Sequence, residues 1–434
     1  MSGRKSDDRS KGPKGKRAAK GSPNTQSHEA ASGKDDRRRA LTHVGGEVIL
    51  TGDPEEGRLL STAAKIPADS DARGYSHGLH TYPARMHPHT AKHLVAMAPE
   101  GAILDPFMGG GTVLVETMLA GRPAFGRDVN PLALEVGWAR TRLWRPERIA
   151  EWRSSALAVL GIAREQRGRT RLPDRVYRTE KAWYDPPAMI ELWALRDAIA
   201  GVEDNSFKRL SRICLSSLVV KASRQASDSV PKLDRNHQYI PKNRVLHWFE
   251  RRIDEIAGQL QSLGAAVPAD ARHKPNIRSA DARTPDPPIA GRVAAIVSSP
   301  PYPGVYDYVE HQRRRYVMLG MDSFFADRHE IGRRQAVIDR GWMSASWRFR
   351  DDLAHAMKAW DAALMPEGRV WLVIGDGQHR DGVIRVLPLV ESAAERTGFE
   401  VSAAAAQPRP VFGTAAADTS ATRSEYIIGL KRSS

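Results

Sequence analysis

A serine, two prolines and a tyrosine lie together at residues 299–302, directly after an apolar run at residues 293–297. The run has the composition of a buried strand, and the prolines end it because they fix φ and lack a backbone N–H. The turn offers a hydroxyl, rigid carbonyls and an aromatic ring. These groups could hold the exocyclic amino group of a base taken out of its stack. We therefore predict a catalytic turn, with an ordinary strand end as the alternative, formed by Ser299, Pro300, Pro301 and Tyr302.

A glycine-rich loop follows a second predicted strand. Asp105 ends this strand, and Phe107, Gly109, Gly111 and Thr112 follow before a helical pattern begins. Glycines allow the backbone to approach a ligand closely and to turn into a helix N-terminus. The loop lacks the Gly-Lys-Ser/Thr ending of a P-loop and the spaced glycines of a dinucleotide site. It therefore predicts a site for a nucleoside cofactor whose charged part is an amino acid.

Three further segments could complete this cofactor site. Asp128 ends the next predicted strand, about 20 residues past the loop, where an acidic side chain can bind ribose hydroxyls. Asn130 belongs to the same segment and could also cap the following helix. Asp281 could accept a hydrogen bond from an adenine amino group, although an ordinary loop aspartate would look the same. Tyr82 and Arg85 lie in a proline-rich lead-in, which could instead only pack on the sheet.

Residues 41–80 are expected to be mostly irregular, whereas strand and helix patterns alternate in the remainder of residues 41–145 and again in residues 276–434. This alternation predicts an α/β fold with helices against a sheet. The last two strands are expected to form an antiparallel pair. The predicted strands outside the motifs are residues 47–51, 369–374, 399–405 and 425–430, and the predicted helices are residues 89–98, 113–120, 350–364 and 383–397.

Residues 146–275 differ in character and read as a mainly helical insert, with helical patterns at residues 146–166, 187–200, 206–223 and 243–263. Small polar residues and cations are interleaved between the last two helices. We predict that this insert faces nucleic acid and recognises the target, with its cations on phosphates. A solvated charged face on a scaffold insert is the alternative. The predicted nucleic-acid-binding residues are Arg224, Lys232, Arg235 and Lys242, together with Tyr306 near the catalytic turn.

The chain of 434 residues carries a net charge of +15, which favours a polyanionic partner. Residues 1–40 contribute +7 of this charge and show no periodicity, so we predict a disordered basic tail. The tail either scans nucleic acid through phosphate contacts or is a solvated leader. A later run of three arginines, Arg313 to Arg315, has the same two alternatives: it contacts phosphates, or it forms a solvated face.

Several classes of protein are disfavoured by composition. No apolar run approaches the ~18 residues of a membrane span, and the N-terminus lacks the apolar core of a signal peptide. The single cysteine, Cys214, leaves no disulfide framework and no cysteine-rich metal site. We therefore expect a cytoplasmic protein without a bound metal.

With these motifs in place, the chain resembles the amino-group DNA methyltransferases that use S-adenosylmethionine, and most of all their cytosine-N4 branch. The resemblance rests on residues 105–112 (Asp-Pro-Phe-Met-Gly-Gly-Gly-Thr), which match the family's cofactor loop, and on its catalytic Ser-Pro-Pro-Tyr at residues 299–302. Weaker matches at residues 82–85, 128–131 and 279–283 resemble the segments that contact the methionine, ribose and adenine parts of the cofactor.

The resemblance implies a Rossmann-like class I methyltransferase sheet with helices on both faces, an antiparallel final strand and an inserted helical domain. It implies methyl transfer from S-adenosylmethionine to the N4 amino group of a flipped cytosine in double-stranded DNA. A cognate restriction nuclease is then a potential partner. Many members have threonine where this chain has Ser298, which is a mild departure.

Other substrates stay open. DNA adenine-N6 and RNA exocyclic-amine enzymes resemble the same core but usually carry Asp or Asn in place of Ser299. A catalytically silent fold that only binds nucleic acid is a further alternative. Methylation of cytosine carbon-5 is disfavoured, because it needs a thiolate nucleophile and Cys214 lies in an apolar helical pattern typical of a core residue.

Overall fold

One mixed β-sheet forms the centre of the protein. The computed structural model describes residues 46–379, 382–409 and 423–433, so the predicted basic tail lies outside the described residues. The strands are β1 (Ile49–Gly52), β2 (Ala102–Asp105), β3 (Ala124–Asp128), β4 (Gln225–Ser227), β5 (Val230–Leu233), β6 (Asn276–Ser279), β7 (Val293–Ser298), β8 (Leu364–Gly375), β9 (Gly377–His379), β10 (Gly382–Ile384), β11 (Phe399–Arg409) and β12 (Arg423–Arg432).

Eight of these strands lie in the spatial order β1-β11-β12-β8-β7-β2-β3-β6. The five adjacent strands β6, β3, β2, β7 and β8 are all parallel to one another. Strand β12 runs antiparallel to both of its neighbours, β8 and β11. The predicted antiparallel closing pair is therefore confirmed. Because β2, β3, β6 and β7 are parallel, their carboxyl ends meet at one edge of the sheet, which is where open α/β sheets bind ligands.

Helices cover both faces of the sheet. They are α1 (Pro54–Ala64), α2 (Pro88–Met97), α3 (Thr112–Leu119), α4 (Pro131–Thr141), α5 (Pro146–Gln166), α6 (Asp174–Glu180), α7 (Pro186–Ala200), α8 (Asn205–Val219), α9 (Arg244–Ala266), α10 (Tyr308–Leu319), α11 (Phe324–His329), α12 (Arg334–Arg340), α13 (Trp342–Ala363) and α14 (Leu387–Glu395).

The alternation of side chains along β8 shows why two helical layers form. Leu372 and Ile374 join one apolar core with α13 and α14. Trp371 and Val373 point to the opposite face and join a second core with α1 and α2. A strand segment buried on both faces needs an apolar residue at every position, as residues 370–374 of β8 have. The predicted α/β class with helices on both faces is confirmed.

The insert of residues 146–275 contains α5 to α9 and a small hairpin of β4 and β5. Its apolar side chains form one continuous core with those of α4 and α10. Trp152 and Phe249 are fully buried in this core. The insert therefore packs directly on the helices that flank the carboxyl edge of the sheet.

Two predicted helices differ from the structure. Residues 382–384 form a strand, and the helix predicted from residue 383 begins only at Leu387. Pro388 explains the shift, because proline fits the first turn of a helix but breaks a helix interior. The helix predicted from residue 350 begins earlier, at Trp342. Helix α1 lies in residues 41–80, which were expected to be mostly irregular, and α6, α11 and α12 were not predicted either. No helix in the described ranges is long and apolar enough to span a bilayer.

Candidate active site

A pocket of about 700 Å³, including its open mouth, lies at the carboxyl edge of the sheet. Predicted site residues from five separate segments meet in this pocket. The predicted residues among its lining are Tyr82, Phe107, Gly109, Asp128, Asn130, Asp281, Ser299 and Pro301.

The glycine loop between β2 and α3 forms one wall. Gly109 has a φ of +47°, and a Cβ built there would lie 3.3 Å from the ring of Tyr82. Glycine avoids both the strained backbone and this close contact. The carbonyl of Gly110 accepts a hydrogen bond of 2.7 Å from Arg140, a fully buried residue of α4 that the sequence did not single out. The glycine loop therefore packs against the Tyr82 ring and is hydrogen-bonded to Arg140.

Asp128 connects this loop to the end of β3. Its Oδ2 accepts from the Gly109 N–H at 2.8 Å, and its Oδ1 accepts from the Asn130 N–H at 2.8 Å. Burial raises the pKa of Asp128 to about 6, while these N–H donors act in the opposite direction. Asn130 caps α4, because its Oδ1 accepts from the Leu132 N–H at 2.9 Å. Both side chains also line the pocket.

Asp105 lies behind the pocket rather than in its lining. It accepts a 2.6 Å hydrogen bond from the Ser298 hydroxyl and a 3.1 Å bond from the Phe107 N–H. Burial raises its pKa to about 7. Asp105 thus joins the glycine loop after β2 to the predicted catalytic turn after β7.

Two hydrogen bonds anchor the predicted catalytic turn to strands β8 and β12. The Ser299 hydroxyl donates to the carbonyl of Val373 at 2.8 Å. The Tyr302 hydroxyl donates to Glu425 Oε1 at 2.6 Å, and Arg409 donates to the other oxygen of Glu425 at 2.5 Å. Tyr302 is buried and is not part of the pocket lining, whereas Ser299 and Pro301 line the pocket.

Besides Asp105, Tyr302 and the four residues of the insert, five further predicted residues lie outside the pocket lining: Pro300, Tyr306, Arg85, Gly111 and Thr112. Arg85 donates to the carbonyls of His77 and Ala72, at 2.5 and 3.0 Å, so it holds the lead-in segment together. Gly111 caps α3 in a left-handed conformation, and Thr112 is buried in the first turn of that helix. The Tyr306 ring packs against the rings of Tyr308 and His311.

Glu330 is a pocket residue for which the sequence offers no motif. Its side chain is only 5% exposed and comes from the segment between α11 and α12. Oε1 accepts from the Tyr308 N–H at the start of α10. Oε2 has no hydrogen-bond partner among the described residues, and its nearest cation is Arg333 Nε at 3.6 Å. A buried carboxylate oxygen is therefore available to a ligand hydroxyl or ammonium group.

Glu330 should make stability depend on pH. Burial raises its pKa from 4.5 to about 7, so the folded protein favours the neutral acid. Stability contributed by this group is present below pH 4.5 and is lost as the pH rises towards 7. Glu330→Gln cannot ionise, so as the pH rises from 4.5 to 7 it should gain about 3 kcal/mol of stability relative to the wild type. Urea denaturation at several pH values measures this difference, and a pH-independent difference would contradict the burial of an ionisable Glu330.

The predicted nucleic-acid-binding residues of the insert lie around the β4–β5 hairpin. Lys232, Arg235 and Lys242 are all exposed. Arg224 forms an ion pair of 2.7 Å with the buried Asp185. The hairpin is joined to α10 by an ion pair between Asp228 and Arg315.

The solvated face that the sequence allowed for the arginine run of α10 is wrong for two of its three residues. Arg314 and Arg315 are buried, so neither forms a solvated face. Arg314 lies over the ring of Trp183 at 4.4 Å and within 3.4 Å of Glu180. Arg313 is exposed and pairs with Glu310 at 2.6 Å. Two of these three arginines therefore stabilise the contact between α10 and the insert.

The chain is similar over a short stretch to the Type II methyltransferase M.MvaI of Kocuria varians. The two share 34% identity over 87 residues, which are 19% of this chain and 19% of that protein. The match thus spans about a fifth of the relative's length. No protein-family model matches the chain.

Solved structures show weaker similarity. TrmN from Thermus thermophilus aligns with a TM-score of 0.29 and 13% identity, over 80% of this chain and 48% of that chain. The rRNA methyltransferase aviRa from Streptomyces viridochromogenes aligns with a TM-score of 0.33 and 14% identity, over 85% of this chain and 96% of that chain. These scores carry no weight for function, and the fold class rests on the strand order described above.

Proposed function

We propose that the protein is a DNA methyltransferase that transfers a methyl group from S-adenosylmethionine to the N4 amino group of a cytosine flipped out of the duplex. The observation that carries this proposal is the Asp105–Ser298 hydrogen bond of 2.6 Å. It joins a glycine loop suited to a nucleoside cofactor to a Ser-Pro-Pro-Tyr turn suited to an amino group. The short similarity to a methyltransferase is consistent with it.

The polar and apolar groups that line the pocket fit S-adenosylmethionine. Asp128 and the Glu330 oxygen that has no hydrogen-bond partner in the described ranges supply acceptors for ribose hydroxyls or for the ammonium group. Phe107 offers an apolar wall, and Asp281 could hold the adenine amino group. Asp281 is also bound to Arg283 at 2.6 Å, which lowers its pKa and keeps it an acceptor. When bound, the cofactor supplies an electrophilic methyl group on a sulfonium.

The catalytic turn would hold the amino group of the base. The Ser299 hydroxyl donates a hydrogen bond to the Val373 carbonyl, so the lone pairs of its oxygen remain available to accept a hydrogen bond. With the Pro300 carbonyl it would hold the two amino hydrogens and draw the nitrogen towards sp³ character. The nitrogen lone pair would then be directed at the methyl group. Catalysis of this kind depends on positioning and on fixed dipoles.

Cys214 supports nitrogen over carbon as the methyl acceptor. It is fully buried in the core formed by α8 and its neighbours, and burial raises its pKa to about 12. A thiol in this position is neutral and cannot reach a base. The insert is proposed to recognise the target through Arg235, Lys242 and Lys232, with Tyr306 near the flipped base.

Gly375 should control the position of Tyr302. A Cβ built at Gly375 would lie 2.7 Å from Tyr302 Cε2. Gly375→Ala should therefore displace the tyrosine ring and lower methyl transfer by about tenfold, because small misplacements cost rate. Cofactor affinity should not change. The matched control is Gly258→Ala on α9, where an added Cβ meets no described atom within 4 Å; equal activity of the two variants would contradict the proposed role.

The direct test of the proposed function is expression in a bacterial host without DNA methylation, followed by mass spectrometry of the nucleosides. N4-methylcytosine that disappears in Tyr302→Ala is the expected result. N6-methyladenine would overturn the assigned base and keep the site. Neither mark, with cofactor still bound, would contradict DNA as the substrate.

A further inference from the structure

The segment that follows the catalytic turn exposes an unusual amount of apolar surface. It comprises α11, α12 and the first two turns of α13, residues 324–348, and we call it the α11–α13 surface. Six of the sixteen exposed large apolar side chains in the described ranges belong to it. Trp342 and Trp347 are 44% and 55% exposed. The six are Phe324, Phe325, Ile338, Trp342, Met343 and Trp347.

The same surface is rich in arginine. Residues 324–348 contain five arginines and three acidic residues, a net charge of +2. Arg334 and Arg340 are exposed and form no ion pair with any other residue that the structure describes. Arg328 lies over the ring of Phe324 at 5.3 Å. Aromatic rings interleaved with unpaired cations match the two chemical parts of a nucleic acid, its bases and its phosphates.

Hydrogen bonds attach this surface to the catalytic turn. The Gly304 N–H donates to the Gly332 carbonyl at 2.9 Å, and the Arg334 N–H donates to the Tyr306 carbonyl at 3.2 Å. A second cavity of about 920 Å³, including its open mouth, lies between them, lined by Pro303, Gly304, Arg333, Arg340 and Arg348 among others. Glu330 lines both this cavity and the cofactor pocket. A ligand on the α11–α13 surface is therefore held beside the residues proposed to methylate it.

We propose that the α11–α13 surface binds the DNA duplex around the flipped base, as a contact region separate from the insert. This inference rests on the proposed function for the choice of DNA. Arg334 and Arg340 bind phosphates, and Trp342 and Trp347 contact bases or sugars next to the gap left by the flipped nucleotide. A second copy of the chain docked on this surface could cover the aromatic residues, but it would leave Arg334 and Arg340 without partners.

The test compares two double variants, Arg334→Ala/Arg340→Ala and Trp342→Ala/Trp347→Ala, with a matched control. The control is Arg58→Ala/Leu59→Ala, which removes an exposed arginine and an exposed apolar side chain from α1, outside the insert. Fluorescence anisotropy measures binding of a labelled mixed-sequence duplex of about 30 base pairs over a range of salt concentrations. Calorimetric binding of S-adenosylhomocysteine and thermal melting report whether each variant is folded.

The arginine variant should bind the duplex about tenfold more weakly, and its slope of log K against log salt should fall by about 2. The tryptophan variant should bind at least about tenfold more weakly, because loss of base contacts to aromatic rings costs this much or more. The control should bind like the wild type. Duplex affinities within about twofold of the wild type for both surface variants would overturn the proposal.

Other outcomes separate this inference from the proposed function. Duplex binding that depends on the surface, in a protein that leaves no methyl mark on DNA, would support the surface and refute the methylation. Methylated DNA with unchanged affinity in both surface variants would refute the surface alone. A preference for RNA over the duplex, or a dimer that the tryptophan variant converts to a monomer, would overturn duplex DNA as the occupant.

Discussion

Ser299→Ala and Tyr302→Ala should each lower methyl transfer by at least about 10²-fold, as loss of a single positioned hydrogen-bonding group does in other enzymes. Ser299 Oγ is the acceptor proposed for the amino group. The Tyr302 ring, which is 7% exposed and outside the lining of the cofactor pocket, is the surface on which the base is proposed to stack. Neither side chain supports the glycine loop, so affinity for S-adenosylmethionine should be retained. Single-turnover transfer of a labelled methyl group to DNA, with calorimetric cofactor binding, measures both quantities.

Tyr302→Phe is the control for this experiment. It keeps the ring but removes the hydroxyl that donates to Glu425 at 2.6 Å. If the ring stacks on the base, the phenylalanine variant should keep much more activity than the alanine variant. A fully active Tyr302→Ala would show that the proposed base pocket is wrong. Equal loss in both variants would instead assign the effect to the hydrogen bond with Glu425.

Asp128→Ala should weaken binding of S-adenosylmethionine by about 100-fold. The substitution removes an acceptor from the pocket and leaves the Gly109 and Asn130 N–H groups without their acceptor. An N–H group that loses its partner in a buried site costs about 1–3 kcal/mol, which adds to the lost cofactor contact. Isothermal titration calorimetry with S-adenosylmethionine and S-adenosylhomocysteine measures the change.

Asp128→Asn separates the two effects. Its amide oxygen can still accept one of the two N–H bonds, so the glycine loop should stay closer to its native position than in the alanine variant. Binding weakened by about tenfold is expected, because a neutral amide is a weaker acceptor than a carboxylate. Duplex DNA binding should be unchanged in both variants. Unchanged cofactor affinity in Asp128→Ala would exclude Asp128 from the cofactor site.

The sequence by itself determined the local structure that carries the motifs. The helix at Pro146–Gln166, the Asn130 cap of α4 and the strand of residues 293–297 are all close to their predicted places. Their signals are local, because proline position, capping side chains and apolar runs act within a few residues. The meeting of Asp128, Asp281 and Ser299 in one pocket also followed from strand ends, since parallel strands place these ends at one edge.

Only the tertiary structure decided which side chains are buried and what they contact. Tyr302 and Glu425 are 123 residues apart in sequence, yet they share a hydrogen bond because β12 pairs with β8 beside the catalytic turn. Arg315 resembles a surface arginine in sequence but is fully buried against Asp228. Glu330 belongs to no motif and reaches the pocket through the packing of α11 and α12. Such contacts depend on long-range packing, which residue type and spacing along the chain do not encode locally.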